Sequence, residues 1–258
     1  MNILLVFPRI EHGATTHSDK GSWSSILFGY PIITLPHLAA ITPRQHTVKI
    51  VNENYEDIDF NEPADLVGIT SYTMTAPHVY ELADEFRRRG RKVVLGGYHP
   101  TAMPQEAKPH ADSIVLGEAE ATWPQLIADL EKGTMQPFYG PNPDFDMDAI
   151  PAIRRDLIRQ NPITGAVQST RGCPNQCEFC AIASFCKHGV KQRPIKNVVA
   201  EIAQMPNRIL VIHDPSLTVN PPYTRELFKE LFQPHCFLFC FRRLALGCVD
   251  RNRRHRRN

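Results

Sequence analysis

Apolar residues fall along the first half of the chain in short blocks whose period switches between strand and helix. Asn2–Phe7 is a continuous apolar run and reads as a strand buried on both faces. Leu35–Ile41 is short and helical, and Thr47–Val51 alternates with β-branched residues. Leu66–Thr70 (LVGIT) reads as another buried strand. Across Pro77–Arg89 the positions Val79, Leu82, Ala83 and Phe86 recur at helical spacing with charges opposite, and Gly90 ends the pattern. Lys92–Leu95 is a strand running into Gly96-Gly97, and Ser113–Leu116 a strand running into Gly117. Ala119–Leu130 is an amphipathic helix closed by Gly133.

Short apolar strands alternating with helices predict a parallel sheet covered on both faces, with right-handed crossovers. Five such strands fit a doubly wound, flavodoxin- or Rossmann-like α/β order. In that order ligands sit beyond the carboxyl ends of the strands. The functional loops are therefore expected at Pro8–Phe28, Ser71–Ala76, Gly96–Pro104 and Gly117–Glu120.

The pattern changes at residues 136–151 (QPFYGPNPDFDMDAIP), a stretch rich in proline and aspartate with little periodicity. Beyond it Gly165–Thr170 reads as a strand, followed by a cysteine-rich loop and a helix from Ile195 to Gln204. A strand at Arg208–His213 and a helix from Pro222 to Phe232 complete the pattern. The expected organisation is a first domain over 1–135, a linker over 136–164, a second unit over 165–232 and an atypical basic tail over 233–258.

Of 258 residues, 42% are hydrophobic and 22% charged, which excludes a chain disordered throughout. The greasiest stretch, residues 236–248, contains two arginines and falls short of the roughly 18 residues a membrane span needs. The N-terminus runs directly into a strand pattern with no basic leader, so a cytoplasmic protein is expected. Net charge is +2, and five of the 29 basic residues lie in the last eight positions. That near balance argues against a dedicated nucleic-acid binder; without the last eight positions the body is slightly acidic, and the tail itself reads as foreign or frameshifted, or as a basic anchor for RNA or acidic lipid.

All seven cysteines lie at or after Cys173, in groups at 173, 177, 180 and 186 and at 236, 240 and 248. An extracellular disulfide framework would spread them along the chain. In Arg171–Cys180 (RGCPNQCEFC), Cys173, Cys177 and Cys180 stand at C-x3-C-x2-C spacing. Three thiolates within eight residues converge only if the loop curls around something. Iron–sulfur clusters are held by cysteine thiolates, usually four, so three would leave one iron open. A structural zinc would need a fourth donor, which Cys186 or His188 could supply. Three unligated thiols in a loop are the bland alternative. The second cysteine group has unconvincing ligand spacing and reads as incidental.

The C-x3-C-x2-C loop, placed directly after a strand and preceded by Ser169-Thr170-Arg171-Gly172, resembles the cluster motif of radical SAM enzymes. Ala149–Leu157 (AIPAIRRDL) is similar to that family's lead-in. Phe179 stands where the family favours an aromatic, and Gln192-Arg193-Pro194 with the following helix matches the stretch after the loop. Val211–Asn220 (VIHDPSLTVN) is similar to the second barrel strand and its exit, with Asp214 at the usual acidic position. Gly68–Ser71, Gly96–Pro100 (GGYHP) and Gly117–Glu120 (GEAE) resemble the cobalamin-binding domain that precedes the radical SAM core in one subgroup.

The resemblance implies a [4Fe–4S] cluster on Cys173, Cys177 and Cys180, with S-adenosylmethionine chelated at the open iron and cleaved by one-electron reduction to a 5′-deoxyadenosyl radical. Asp214 would be a partner for the methionine amino group. Ser71, Thr73, Gly96, Gly97 and Gly117 would meet cobalamin. The implied reaction is methyl or related carbon transfer to a small-molecule substrate, with electrons from a flavodoxin or ferredoxin.

The chain departs from the pattern twice. The D-x-H-x-x-G signature of domains that ligate cobalt through histidine is missing: Asn52–Asp57 reads NENYED, and His99 reads as a loop histidine bonded to backbone. The 94 residues from Gly165 to Asn258 hold about three βα units of roughly 30 residues, so the (β/α) barrel is expected to be incomplete and turnover poor. Two other readings stand beside the enzyme: a first domain that no longer holds cobalamin, and a non-catalytic metal-binding scaffold or remnant. Trp23, His12 and His17 read as ordinary loop residues. Glu118 and Glu120 are candidates for acid–base work, although Glu120 is equally a first-turn residue favoured by the helix dipole.

Overall fold

The computed structural model describes residues 1–10, 32–142, 145–159, 163–175, 177–186, 189–207 and 209–231, with backbone alone at 183–184 and 237–240. The loop carrying His12, His17 and Trp23, most of the Pro8–Phe28 segment, and His188 lie outside the described residues.

Six parallel strands form the first sheet: β1 (Asn2–Phe7), β2 (Thr47–Asn52), β3 (Leu66–Thr70), β4 (Lys92–Gly96), β5 (Ser113–Val115) and β6 (Phe138–Tyr139). Their order is β2-β1-β3-β4-β5-β6, the doubly wound arrangement predicted. β1 is an interior strand, second from the edge, pairing Leu5 with Ile50 on one side and Gly68 on the other. From Ile3 to Phe7 it is apolar because both faces are covered. Leu4 and Val6 meet Val79, Leu82 and Phe86 of helix α2 (Ala76–Arg88), while Ile3 and Leu5 meet Leu35 of α1 (Thr34–Ile41) and Trp123. The indole Nε1 of Trp123 donates to Thr42 Oγ1 at 2.9 Å, which satisfies its one polar atom in the core.

β6 extends the sheet beyond the five strands expected. It falls in the proline- and aspartate-rich stretch, pairing Phe138 with Ile114 and Tyr139 with Val115. Two residues are too few to show any period. The short helices α3 (Tyr98–Ala102) and α4 (Pro104–Ala107) follow β4, and α5 (Thr122–Glu131) follows β5.

The second unit holds β7 (Thr164–Val167), β8 (Thr170–Arg171), α6 (Ala181–Phe185), β9 (Lys191–Gln192), α7 (Ile195–Ala203), β10 (Ile209–Ile212) and α8 (Pro221–Leu231). Gly165–Thr170, expected as one strand, breaks at Gln168. β7 stays in a parallel sheet beside β10, while β8 pairs antiparallel with β9 in a separate two-stranded ladder. Residues beyond Phe232 showed no strand pattern in the sequence, yet the backbone of Phe237–Cys240 forms β11, parallel to β10. Among the described residues this second sheet has three strands, in the order β11-β10-β7. Val198 and Ile202 of α7 and Leu227 of α8 pack on Val167, Leu210 and Ile212 to make its core. Among the described residues no helix is long and apolar enough to cross a membrane.

Candidate functional site

A cavity of about 230 Å³ lies between the carboxyl ends of β3, β4 and β5 and the exit of β7. From the first unit it is walled by Gly96, Gly97, Gly117, Tyr98 and Trp123, and from the second by Arg171, Gly172, Phe185 and Cys186. This is the crevice that the doubly wound order predicts for a ligand.

Gly97 has φ of +101°, and a Cβ there would lie 2.8 Å from Ser71 O. The close approach comes from a backbone bridge: Ser71 N–H donates to Gly96 O at 2.9 Å and His99 N–H donates to Ser71 O at 3.2 Å. Thr101, which carries no motif signal in the sequence, ties two turns together. Its Oγ1 donates to Gly97 O at 2.7 Å and accepts from Gly117 N–H at 3.0 Å. The three predicted glycines therefore meet at one place.

The predicted hydroxyls do not join them. Ser71 is buried with its Oγ donating to Tyr72 O at 3.2 Å, and Thr73 is exposed on a short turn; neither lines the cavity. His99 corrects the reading of a loop histidine bonded to backbone. It lies buried on α3, with its Nε2 2.8 Å from the Tyr80 hydroxyl and 3.3 Å from Glu106 Oε1.

The cysteine loop joins β8 to α6. Cys173, Cys177 and Cys180 are all free thiols; Cys177 is exposed and the other two half-buried. Gly172 opens the loop at φ of +79°, tight against the Gly189 carbonyl, so any side chain there would clash with backbone. Among the described residues no three histidine, cysteine or acidic side chains are gathered closely enough to hold a metal ion. The donor set itself suits a thiolate-held cluster, because three unpaired and partly accessible sulfurs share one short loop. Cys186, the possible fourth donor for zinc, lies on the cavity wall, where burial first and the Glu118 charge second push its thiol up to about 11.

Asp214 lies buried beneath the cysteine loop. It is 6% exposed, and its carboxylate accepts from Ser169 N–H at 2.7 Å, from Thr170 N–H at 2.9 Å and from the Ser169 hydroxyl. Both oxygens are engaged, and they capture the backbone where β7 leaves its sheet for β8. Burial raises the Asp214 carboxyl and these hydrogen bonds oppose the rise. Asp214 is thus a strut under the entrance to the cysteine loop.

The same stretch is braced by buried ions. Glu201 sits between Arg155 at 2.7 Å and Arg193 at 2.8 Å, while Arg155 also donates to Ala166 O and Arg193 to Gln168 O. Across the crevice Arg171 pairs with Glu120 and lies 3.6 Å from Glu118; Lys191 lies 3.7 Å from Glu118 and His37 2.9 Å from Glu120. Burial acts to raise the Glu120 carboxyl, but the His37 hydrogen bond and the Arg171 charge outweigh it and hold the group down to about 2. Burial raises Glu118, Arg171 opposes this, and the Glu120 charge adds to the rise. Glu120 precedes α5 and is bound by ion pairs, so the helix-dipole reading gives way to a tertiary one.

Residues 37–127 match the family model of the B12 binding domain. The chain is 38% identical to bacteriochlorophyllide d C-8(2)-methyltransferase of Chlorobaculum tepidum over 157 residues, which is 57% of this chain and 35% of that one. It is 25% identical to bacteriochlorophyllide d C-12(1)-methyltransferase of the same organism over 257 residues, covering 88% of this chain and 55% of the relative. Among solved structures it is similar to the radical S-adenosylmethionine methyltransferase TsrM from Kitasatospora setae with cobalamin and a [4Fe–4S] cluster bound. The TM-score is 0.58 at 15% identity, covering 89% of this chain and 50% of that one. The chain thus spans about half the length of TsrM and between a third and just over half of these two curated relatives. The glycine motifs drawn as cobalamin-domain features fall within the stretch that matches the B12 binding domain, and the fold is similar to that of TsrM.

Proposed function

We propose that this chain carries the cobalamin-binding and cluster-bearing parts of a cytoplasmic radical SAM methyltransferase. It would act on a small molecule and draw electrons from a flavodoxin or ferredoxin. The observation that carries the reading is the shared crevice, in which the glycine turns of the B12-type sheet face the root of the cysteine loop across one cavity.

Cys173, Cys177 and Cys180 would hold the cluster, and Gly96, Gly97 and Gly117 would let the corrinoid approach the strand ends. Bound together, the cluster, S-adenosylmethionine and cobalamin supply one-electron chemistry and a carrier for the methyl group. The chain's own contribution is placement. The cavity of about 230 Å³ at the strand ends would receive part of the corrinoid. Trp123, Val94 and Val115 exclude water from its floor. His99 binds Tyr80 and Glu106 through Nε2 and does not line the cavity, which speaks against a role as lower ligand of cobalt. Asp214 acts through Ser169 and Thr170 as a positioning residue.

Anaerobic reconstitution with iron and sulfide, followed by hydroxocobalamin and gel filtration, tests the reading. Co-elution of cobalt with about four irons per chain is expected. Zinc in place of iron, with no bound cobalt, would overturn it in favour of a metal-binding scaffold.

A further inference from the structure

We propose that Glu118 and Glu120 clamp the root of the cysteine loop to the last βα turn of the first unit, acting on Arg171 and Lys191 as positioning residues. The inference rests on the reading of the loop as a cluster holder and deepens it, because it makes the loop's placement depend on the other unit.

The ladder of β8 and β9 pairs Arg171 directly with Lys191, so two cations stand side by side at the neck of the loop. Arg171 is two residues before Cys173. Two carboxylates face them from residues 118 and 120, so the formal charges balance. Phe145 adds an aromatic face to both cations, with its ring centre 5.4 Å from Arg171 Cζ and 3.6 Å from Lys191 Nζ.

Each end of the clamp is itself anchored. Arg171 Nε donates to Gln168 Oε1 at 2.9 Å, and His37 holds Glu120 from the far side. Past the loop, Tyr98 of the first unit meets Phe185 of α6 at 4.6 Å between ring centres, so the loop is gripped near its entrance and its exit. The Glu118 and Glu120 side chains are only 14% and 8% exposed. Removing one partner from such a site leaves a buried charge unpaired, which costs more than the pair contributes. The carboxylates therefore act on the geometry of the loop through the two cations.

Hydrogen–deuterium exchange of the full chain before cluster loading, with iron uptake measured in parallel, tests the clamp. In E118Q/E120Q, exchange across peptides 165–192 should rise roughly tenfold or more, while β1 to β4 keep their protection. Iron uptake at limiting iron should fall with it. The charge-exchanged R171E/E120R chain should recover part of the protection, as a direct coupling requires. Should E118Q/E120Q fail to fold, K191Q carries the same comparison. Unchanged exchange over 165–192, or a uniform rise that includes the first sheet, would overturn the clamp. If the unaltered chain took up no iron while the exchange pattern followed expectation, the cluster reading would fall and the clamp would stand.

Discussion

The two walls of the crevice are built by opposite means. The wall from the B12-type sheet is mostly backbone and apolar surface, apart from the carboxylates of its last turn: Gly97 is pressed against Ser71, Thr101 ties two turns, and Trp123 lies beneath. Its shape follows from a sheet buried on both faces. The opposite wall is held by charge. Asp214 captures Ser169 and Thr170, Glu201 joins two arginines, and Arg171 reaches across to Glu118 and Glu120. Packing gives a surface that exists before any ligand arrives. Charged struts hold the ends of a loop whose middle carries three free thiols; on the proposed reading, the cluster would draw them together.

That contrast is most sharply broken at the thiols. Cys177→Ala should abolish cluster loading, because two sulfurs do not hold the cluster, while leaving hydroxocobalamin binding intact. Iron and cobalt content of one preparation checks both; loss of cobalt together with iron would show that the walls are not independent.

Acid should separate the walls in order. His213, at the end of β10, is pushed down to about 4 by burial. Its folded value lies below its unfolded one, so its contribution is complete above pH 6.5 and is lost as the pH falls toward 4, about 3 kcal/mol in all. Glu120, held down to about 2, gives a contribution that is complete above pH 4.5 and is lost only as the pH falls toward 2. Urea unfolding from pH 8 to 3 should therefore show the second unit weakening first, with His213→Gln flattening that limb and E120Q leaving it unchanged.

A smaller effect is expected at the packed wall. Gly97→Ala forces a side chain into a left-handed backbone against Ser71, at a cost of about 1–3 kcal/mol. Hydroxocobalamin affinity should weaken by roughly tenfold or more while iron uptake holds, as equilibrium titration would show.

The first wall was largely legible in the sequence and the second was not, for a physical reason. Val79, Leu82 and Phe86 repeat at the helical period, and each strand run ends at a residue pattern that names its own turn. Such signals are local. Asp214 meets Ser169 across 45 positions and Arg171 meets Glu120 across 51, and no period announces either. Thr101 could have been found, since a threonine four residues after Gly97 can return its hydroxyl to the glycine carbonyl. The two-residue β6, and β11 in a stretch of cysteine and phenylalanine, were too short or too uniform to read.

Mössbauer spectra of the anaerobically reconstituted chain, made with isotopically enriched iron and recorded with and without S-adenosylmethionine, test the central claim most directly. The account predicts one cluster per chain in which a single iron site, the one without a cysteine, changes on addition of the sulfonium compound. Spectra in which every iron is indifferent to S-adenosylmethionine, because a fourth side chain closes the site, would contradict it.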